Sequence, residues 1–537
     1  MPKKFMQKIH MIQEQLQAQK KQLPKKEKVY DFSIEENLSV NLKLLEAIFV
    51  KNSDIIFREF KVGPEEVDAF SINIDGLSDK SMINNDILHP LMWESRKVNW
   101  QGDYSIENIT KSLVNFVEAK TVANIDDVVN AVLSGETAVF IAGSTECLLC
   151  STRKWEQRGV GQPESESVVR GPREGFTETL RINTSLVRRK IKDPELMIEM
   201  LMLGERTRTD IALVYIKDIA NDDIVKEVKE RVSSIKIDSI LESGYIESFI
   251  EDTPFTLFPT VGYTESPDKF AGKILEGRVG VLVDGTPFAL TIPLLFVENI
   301  QVTEDYYQNP FLATALRFLR IVAMFLAIFL PALYIAVINF HPNILPIALL
   351  DTVAAAQEGV PFPTAVETLL LLIFYEGLRE AGVRIPRPIG QAVSIVGALV
   401  LGDAAVSAGL ASYPVVIVVA LCGIMGFLLP PQLEPVLLLR IPILVISSIV
   451  GLFGLSFCFV IMLIHMYSLR SFGVSYLQPV VLYVNNKVHD SAIRNPWWTM
   501  IKRPFMLSPK NSQRIKKGQE PENPENKNGE SKDEKKS

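Results

Sequence analysis

Three carboxylates and an arginine interrupt an apolar, helix-like run: Glu367, Glu376, Arg379 and Glu380 lie within TAVETLLLLIFYEGLREA (Thr364–Ala381). An ionised group at membrane depth costs about 2.5–3.5 kcal/mol on insertion scales, so such groups are functional candidates by default. Copies of one glutamate from several subunits would form a cation-attracting ring. The residues alone leave a second reading open, in which Glu376 and Arg379 pair at the membrane interface and only orient the helix. At roughly 100° per residue, Glu367 and Glu376 point to opposite faces, so no single acidic stripe runs down this helix. Glu376 and Glu380 are four apart and share a face, with Arg379 flanking it. Asp403, preceded by Gly402 and followed by small residues, is a further candidate, or else a turn in its span.

The remaining chemistry-bearing residue types do not assemble into a reaction centre. Cys147-Leu-Leu-Cys150 is the only close cysteine pair, with no second pair or nearby histidine to complete a zinc set. It reads better as strand following the apolar run TAVFIAG (Thr137–Gly143). The five histidines are scattered at His10, His89, His341, His465 and His489. Phosphate-loop, dinucleotide, nucleophile-elbow and zincin motifs are missing, and Asp284-Gly285-Thr286 reads as a hairpin turn. The sequence therefore predicts no enzyme, no cofactor and no metal.

A second concentration of charge lies at Val168–Ile191 (VVRGPREGFTETLRINTSLVRRKI), with five arginines in a chain of net charge −7. That overall balance gives no case for nucleic-acid binding. If Thr177 begins a helix, Leu180, Thr184, Val187 and Ile191 share one side, and Arg181, Arg188 and Lys192 form a ridge on another. The lead-in cannot itself be regular helix, because Pro172 and two glycines break it. Arg173, Glu174, Arg181, Arg188 and Lys192 are thus candidates for docking on acidic surface. That surface would belong to a neighbouring subunit or to the second α/β unit; the alternative is a solvated linker face.

The elements that must hold these groups divide the chain unevenly. Mean hydropathy is +0.17, high for a soluble protein, and the cause is local to residues 311–467. The charged N-terminus (residues 1–34) has no signal-peptide pattern, which places the head in the cytoplasm. Helix-like IEENLSVNLKLLEAIFV (Ile34–Val50) precedes strand-like DIIFREFKV (Asp54–Val62) and DAFSINIDGL (Asp68–Leu77). A helix at Val122–Gly135 and the TAVFIAG strand complete a first α/β unit, residues 35–150. After the basic linker and helix (151–192), a second unit (193–310) follows. It has a strand at Thr209–Ala220, an amphipathic helix at Asp223–Ile235 and a hairpin at Arg278–Phe296. The fold class expected is α+β in the soluble N-terminal region, as two α/β subdomains, followed by an all-α polytopic membrane domain (311–467).

Within that domain Ile321–Ile338 is long enough to span, with Arg317 and Arg320 placing its start inside and Pro331 implying a kink. Further runs lie at Pro388–Leu410, Pro414–Pro430 and Ile441–Ile464. Arg379, Arg384 and Arg387 suggest a cytoplasmic loop and a total of five spans, whereas a basic C-terminal segment demands an even number; a re-entrant helix would reconcile them. The juxtamembrane segment (468–507) leads to a tail (508–537) rich in Lys, Glu, Asn and Pro, expected to be disordered.

The run Gly171–Phe176 (GPREGF), the domain order and the membrane segments resemble the A subunit of GerA-family spore germination receptors. Further similar blocks are RTDIALVYIKDIAN (Arg208–Asn221), ESGYIESFIED (Glu242–Asp252), Phe258–Leu290 and LREAGVRIPRPIGQAVSIVGALVLGDAAV (Leu378–Val406). The likeness covers about residues 35–485. It implies a multi-pass protein of the spore inner membrane working with a transporter-like B subunit, which recognises the nutrient, and a lipoprotein C subunit. It also implies A subunits that form a homo-oligomer around a nutrient-gated ion path.

Overall fold

The computed structural model describes residues 32–50, 52–97, 104–114, 119–154, 163, 166, 168–384, 402–429, 433–478, 490–504, 507–516 and 518–521. Most of the N-terminal extension, the start of the Pro388–Leu410 run, Arg387 and the tail beyond 521 lie outside them.

The first unit opens with α1 (Leu38–Ile48), started by Asn37, whose side chain accepts from the Ser39 N–H. Strands β1 (Ile55–Val62) and β2 (Val67–Ile74) form a hairpin in the register Ile55↔Ile74 to Val62↔Val67. Helical turns over Lys80–Lys97 and α2 (Ile106–Ser112) lead to β3 (Ala119–Val122), α3 (Ile125–Leu133), β4 (Thr137–Ile141) and β5 (Cys147–Cys150). The sheet is antiparallel with order β1-β2-β4-β5-β3. Inner strands β4 and β5 are almost wholly apolar because both faces of the sheet are covered. Helices α1 and α3 pack on one, and the Lys80–Lys97 turns with α2 on the other.

Helix α4 (Leu180–Lys190) follows, then β6 (Leu196–Leu203), β7 (Thr209–Ile216), α5 (Asp222–Ser234), α6 (Ser243–Ile250), β8 (Gly262–Thr264), α7 (Pro267–Leu275), β9 (Val279–Val283) and β10 (Ala289–Ile292). The second sheet has the order β6-β7-β9-β10-β8, the first sheet's order repeated strand for strand. In both units a helix closes on a left-handed glycine before the central strand, Gly135 at φ +91° and Gly277 at φ +100°. One face of this sheet is covered by α4 and α7, the other by α5 and α6. The two units meet at edge strands β1 and β6, where the Ser53 N–H donates to the Ile198 carbonyl at 3.0 Å.

The C-terminal half starts with α8 (Pro310–Phe340), capped by Asn309 on the Phe311 N–H and with proline in its first turn. At 31 residues it is the one helix among the described residues long and apolar enough to cross a bilayer. Helix α9 (Ile347–Gln357) is short; α10 (Thr364–Arg384) carries the acidic residues; α11 (Tyr413–Phe427), α12 (Leu433–Val450) and α13 (Leu452–Ser468) follow. Two expectations change here. The run Ile441–Ile464 is not one span: Gly451, at φ +67°, divides it into α12 and α13. The tail is not free from Ser508 onward. Leu507 and Ser508 are fully buried, Lys510 Nζ reaches Asp222 Oδ1 at 2.6 Å, and the Asn511 amide donates to Asp218 Oδ2 at 3.1 Å. Composition alone concealed this, because the segment docks through single polar contacts rather than an apolar face.

After α13, a two-stranded turn, β11 (Arg470–Ser471) and β12 (Val474–Ser475), inserts Phe472 and Val474 into the core of the second unit, where Leu507 joins them. The chain thus returns to the head after its apolar half.

Candidate functional site

One level of the helical bundle gathers its charge. Pro331 has no N–H, so the Ala327 carbonyl in α8 has no helical partner. Arg440 of α12 supplies one, donating from Nε at 2.8 Å. Its Nη1 reaches Glu376 Oε1 of α10 at 3.0 Å, and Arg379 Nη2 reaches Glu376 Oε2 at 2.9 Å. Cys422 of α11 lies at the same height, its Sγ 3.7 Å from the Leu326 carbonyl. Three helices, α8, α10 and α12, are therefore tied at mid-length by a buried arginine that the sequence reading missed. The available signal was an arginine directly before an apolar run, together with a helical proline leaving a carbonyl free.

The other acidic candidates separate. Glu367 is 1% exposed and caps the start of α11, accepting from the Ser412 N–H and, at 2.6 Å, from its hydroxyl. Its contacts make it a helix cap in this chain. Glu380 is exposed and pairs with Arg384 at 2.7 Å. Asp403 is exposed on a helical segment over 402–407.

The basic stretch is the second constellation. Helix α4 starts at Leu180, not Thr177, with Thr179 at its N-cap; the Asp284 carboxylate in the β9–β10 turn accepts from the Leu180 N–H at 2.9 Å. Its apolar side packs on the second sheet. Its basic side turns to the first unit. Arg188, 1% exposed, forks onto Asp54 (Nε–Oδ2 2.7 Å, Nη2–Oδ1 2.9 Å) and reaches Asn52 Oδ1 at 2.7 Å. Arg181 pairs with Asp75 at 3.2 Å, and Lys192 reaches Ser134 at 3.4 Å. The acidic surface expected on a neighbour or on the second unit is on the first unit of the same chain. Spacing gave the ridge but not its partner, which lies 134 residues away. Glu174 folds back on Arg189 and Lys190, and Arg173 stands exposed.

Two further clusters follow, one at the start of α8 and one joining the second unit to the C-terminal segment. Arg317 and Arg320 of α8 both grip Asp305 (3.0 and 2.9 Å), and Arg317 also holds Asp490 at 2.6 Å. Glu298 accepts from Lys273 and Arg278, while Glu276 accepts from Arg278 at 2.7 Å and faces Arg514 at 3.4 Å. Burial raises both carboxyls, but Arg278 and Lys273 outweigh it and hold both below the ordinary 4.5. The CxxC cysteines lie in β5, and burial pushes the Cys150 thiol up to about 12, so both remain protonated thiols.

A family model described as Bacillus/Clostridium GerA spore germination protein matches residues 43–506. The chain belongs to that family. Spore germination protein KA of Bacillus subtilis (strain 168) is 42% identical over 91% of this chain and 90% of its own length. Uncharacterized membrane protein YfkQ of the same strain is 39% identical over 92% of this chain and 96% of its own. A crystal structure of the N-terminal domain of the A subunit of the Bacillus megaterium spore germinant receptor GerK3 is 37% identical. It covers 50% of this chain and 98% of that one, with a TM-score of 0.40. For this GerA-family chain the constellations above are structural ties and charged bundle groups, in keeping with a family of spore germination proteins rather than of known enzymes.

Proposed function

We propose that this chain is the A subunit of a nutrient-responsive germination receptor in the spore inner membrane. It works beside a transporter-like B subunit and a lipoprotein C subunit, and copies of it surround a gated ion path. The observation that carries the reading is the Arg440–Glu376–Arg379 network. Costly charges sit at mid-bundle and are bonded to the carbonyl that Pro331 leaves free. A helix that gains or loses that guanidinium has two arrangements, which a partner's nutrient-bound state can bias. Exposed Glu380 and Asp403 are the carboxylates available to face a water path between subunits, whereas Glu367 is engaged as a cap. In this reading the basic ridge with Arg173 and Glu174 sets the angle between the two units, and exposed Arg173 is the residue left to meet another subunit.

The test is cation flux from the reconstituted receptor, comparing wild type with Glu380→Gln, Asp403→Gln and Glu376→Gln. Nutrient-triggered flux falls several-fold with assembly intact if the chain conducts. Unchanged flux in all three assigns it instead to a non-conducting scaffold that relays the signal.

A further inference from the structure

The second unit carries an apolar tip with no place in the head. Phe255 is 97% exposed, and Phe249 of α6 is 55% exposed beside the face that buries Ile246 and Ile250. The loop Thr253–Phe258 (TPFTLF) has no charged residue. The acids just before it are turned inward: Asp252 binds Arg231 and the Phe472 N–H, and Glu251 accepts from Thr260. The loop is tied to the end of α13, where the Thr256 hydroxyl lies 3.1 Å from His465 Nε2. Phe258 packs beside the same imidazole, its ring centroid 6.1 Å away.

That tie sets the depth of the loop. Helix α13 has 17 residues. At about 1.5 Å each it is about 25 Å long, no longer than a hydrocarbon core of about 30 Å. Inserted in a bilayer, α13 therefore ends at or just within the lipid boundary, and His465 is in its last turn. The helix also presents an apolar stripe, Phe453, Phe457, Ile461 and Ile464, at intervals of four, four and three residues; all four are exposed. The stripe runs toward the end that holds the loop.

We propose that Phe249, Phe255 and Leu257 form a lipid-seated foot, by which the second unit rests in the boundary between headgroups and acyl chains. The proposal rests on the reading of α13 as a membrane helix. Aromatic rings are favoured at that boundary, and contact with lipid explains apolar side chains left exposed among the described residues.

The test uses the full-length chain in phosphatidylcholine–phosphatidylglycerol nanodiscs. All four native cysteines are buried, so nitroxides can be placed singly at Phe255→Cys and Phe249→Cys. Exposed Met202→Cys at the end of β6 serves as the aqueous reference and Phe457→Cys as the bilayer reference. Relaxation by oxygen against a water-soluble nickel chelate reports depth. The expected result is that both foot positions shift from the Met202 value towards the Phe457 value. Foot labels that match Met202 while Phe457 reads lipid overturn the foot alone. Foot labels immobilised and reached by neither agent overturn it in favour of a protein contact, such as a second copy. A Phe457 label that reads water overturns the membrane reading of α13 itself.

Discussion

Arg188 shows how a buried charge can be necessary in place yet replaceable as a pair. Its guanidinium and the Asp54 carboxylate are both withdrawn from water and joined by two hydrogen bonds. Removing one partner strands the other, at a cost of about 3–5 kcal/mol. Thermal unfolding should therefore show Arg188→Ala strongly destabilised, with Arg188→Met/Asp54→Leu recovering most of the loss. Equal destabilisation of the single and double variants would contradict the pairing. Glu276 and Glu298 give a pH dependence of known sign. Their carboxyls are held below 4.5 in the fold, so they contribute stability that is fully present above that pH and is lost as pH falls through the lowered folded value. The wild-type melting midpoint should drop below pH 4.5, and drop less steeply in Glu276→Gln. At this scale the sequence was only half legible. The types and spacing at Arg181, Arg188 and Lys192 marked a ridge, but ion pairs across more than a hundred residues leave no local trace. Arg440 escaped notice because hydropathy treats an arginine at the edge of an apolar run as a boundary.

Among the elements, the head helices and strands named from periodicity stand near their expected positions, but the turns over Lys80–Lys97, α2, β3, β6, α6, β8 and α7 were not read. The hairpin at Asp284-Gly285 stands where its turn residues put it, between β9 and β10. Strand order was not readable, since Val139 and Val281 look alike whichever neighbour they pair with. The division between α12 and α13 was also hidden, because Gly451 is an ordinary residue in an apolar run until its φ is known. That conformation, φ +67° with ψ −145°, is nearly confined to glycine and costs a side chain about 1–3 kcal/mol, and a Cβ there would lie 2.9 Å from the Phe340 ring. Gly451→Ala should lower the melting midpoint, and adding Phe340→Ala should restore the steric part only. The C-terminal segment allows a paired truncation. Stopping after Glu520 should be silent. Stopping after Ser508 removes the contacts of Lys510, Asn511 and Arg514 and should loosen the β7–α5 turn and the α7 end by about 1–2 kcal/mol, read as faster limited proteolysis there.

For the whole molecule, the ties from Asp490, Lys510 and Arg514 back to α8 and the second unit put the head and the C-terminal segment on one side of any membrane the bundle crosses. With both on one side, the expected number of crossings is even. Epitope tags at Met1 and Ser537 should be equally accessible in inverted vesicles and equally protected in right-side-out ones; opposite protection of the two would refute the even count.

The second unit is also completed out of order. Phe472, Val474 and Leu507 belong to its core, yet they leave the ribosome only after every apolar helix has been made. Until translation is nearly finished, that half of the head has a greasy notch. A polypeptide abandoned partway through the bundle therefore advertises its incompleteness in water, where proteases and chaperones can find it.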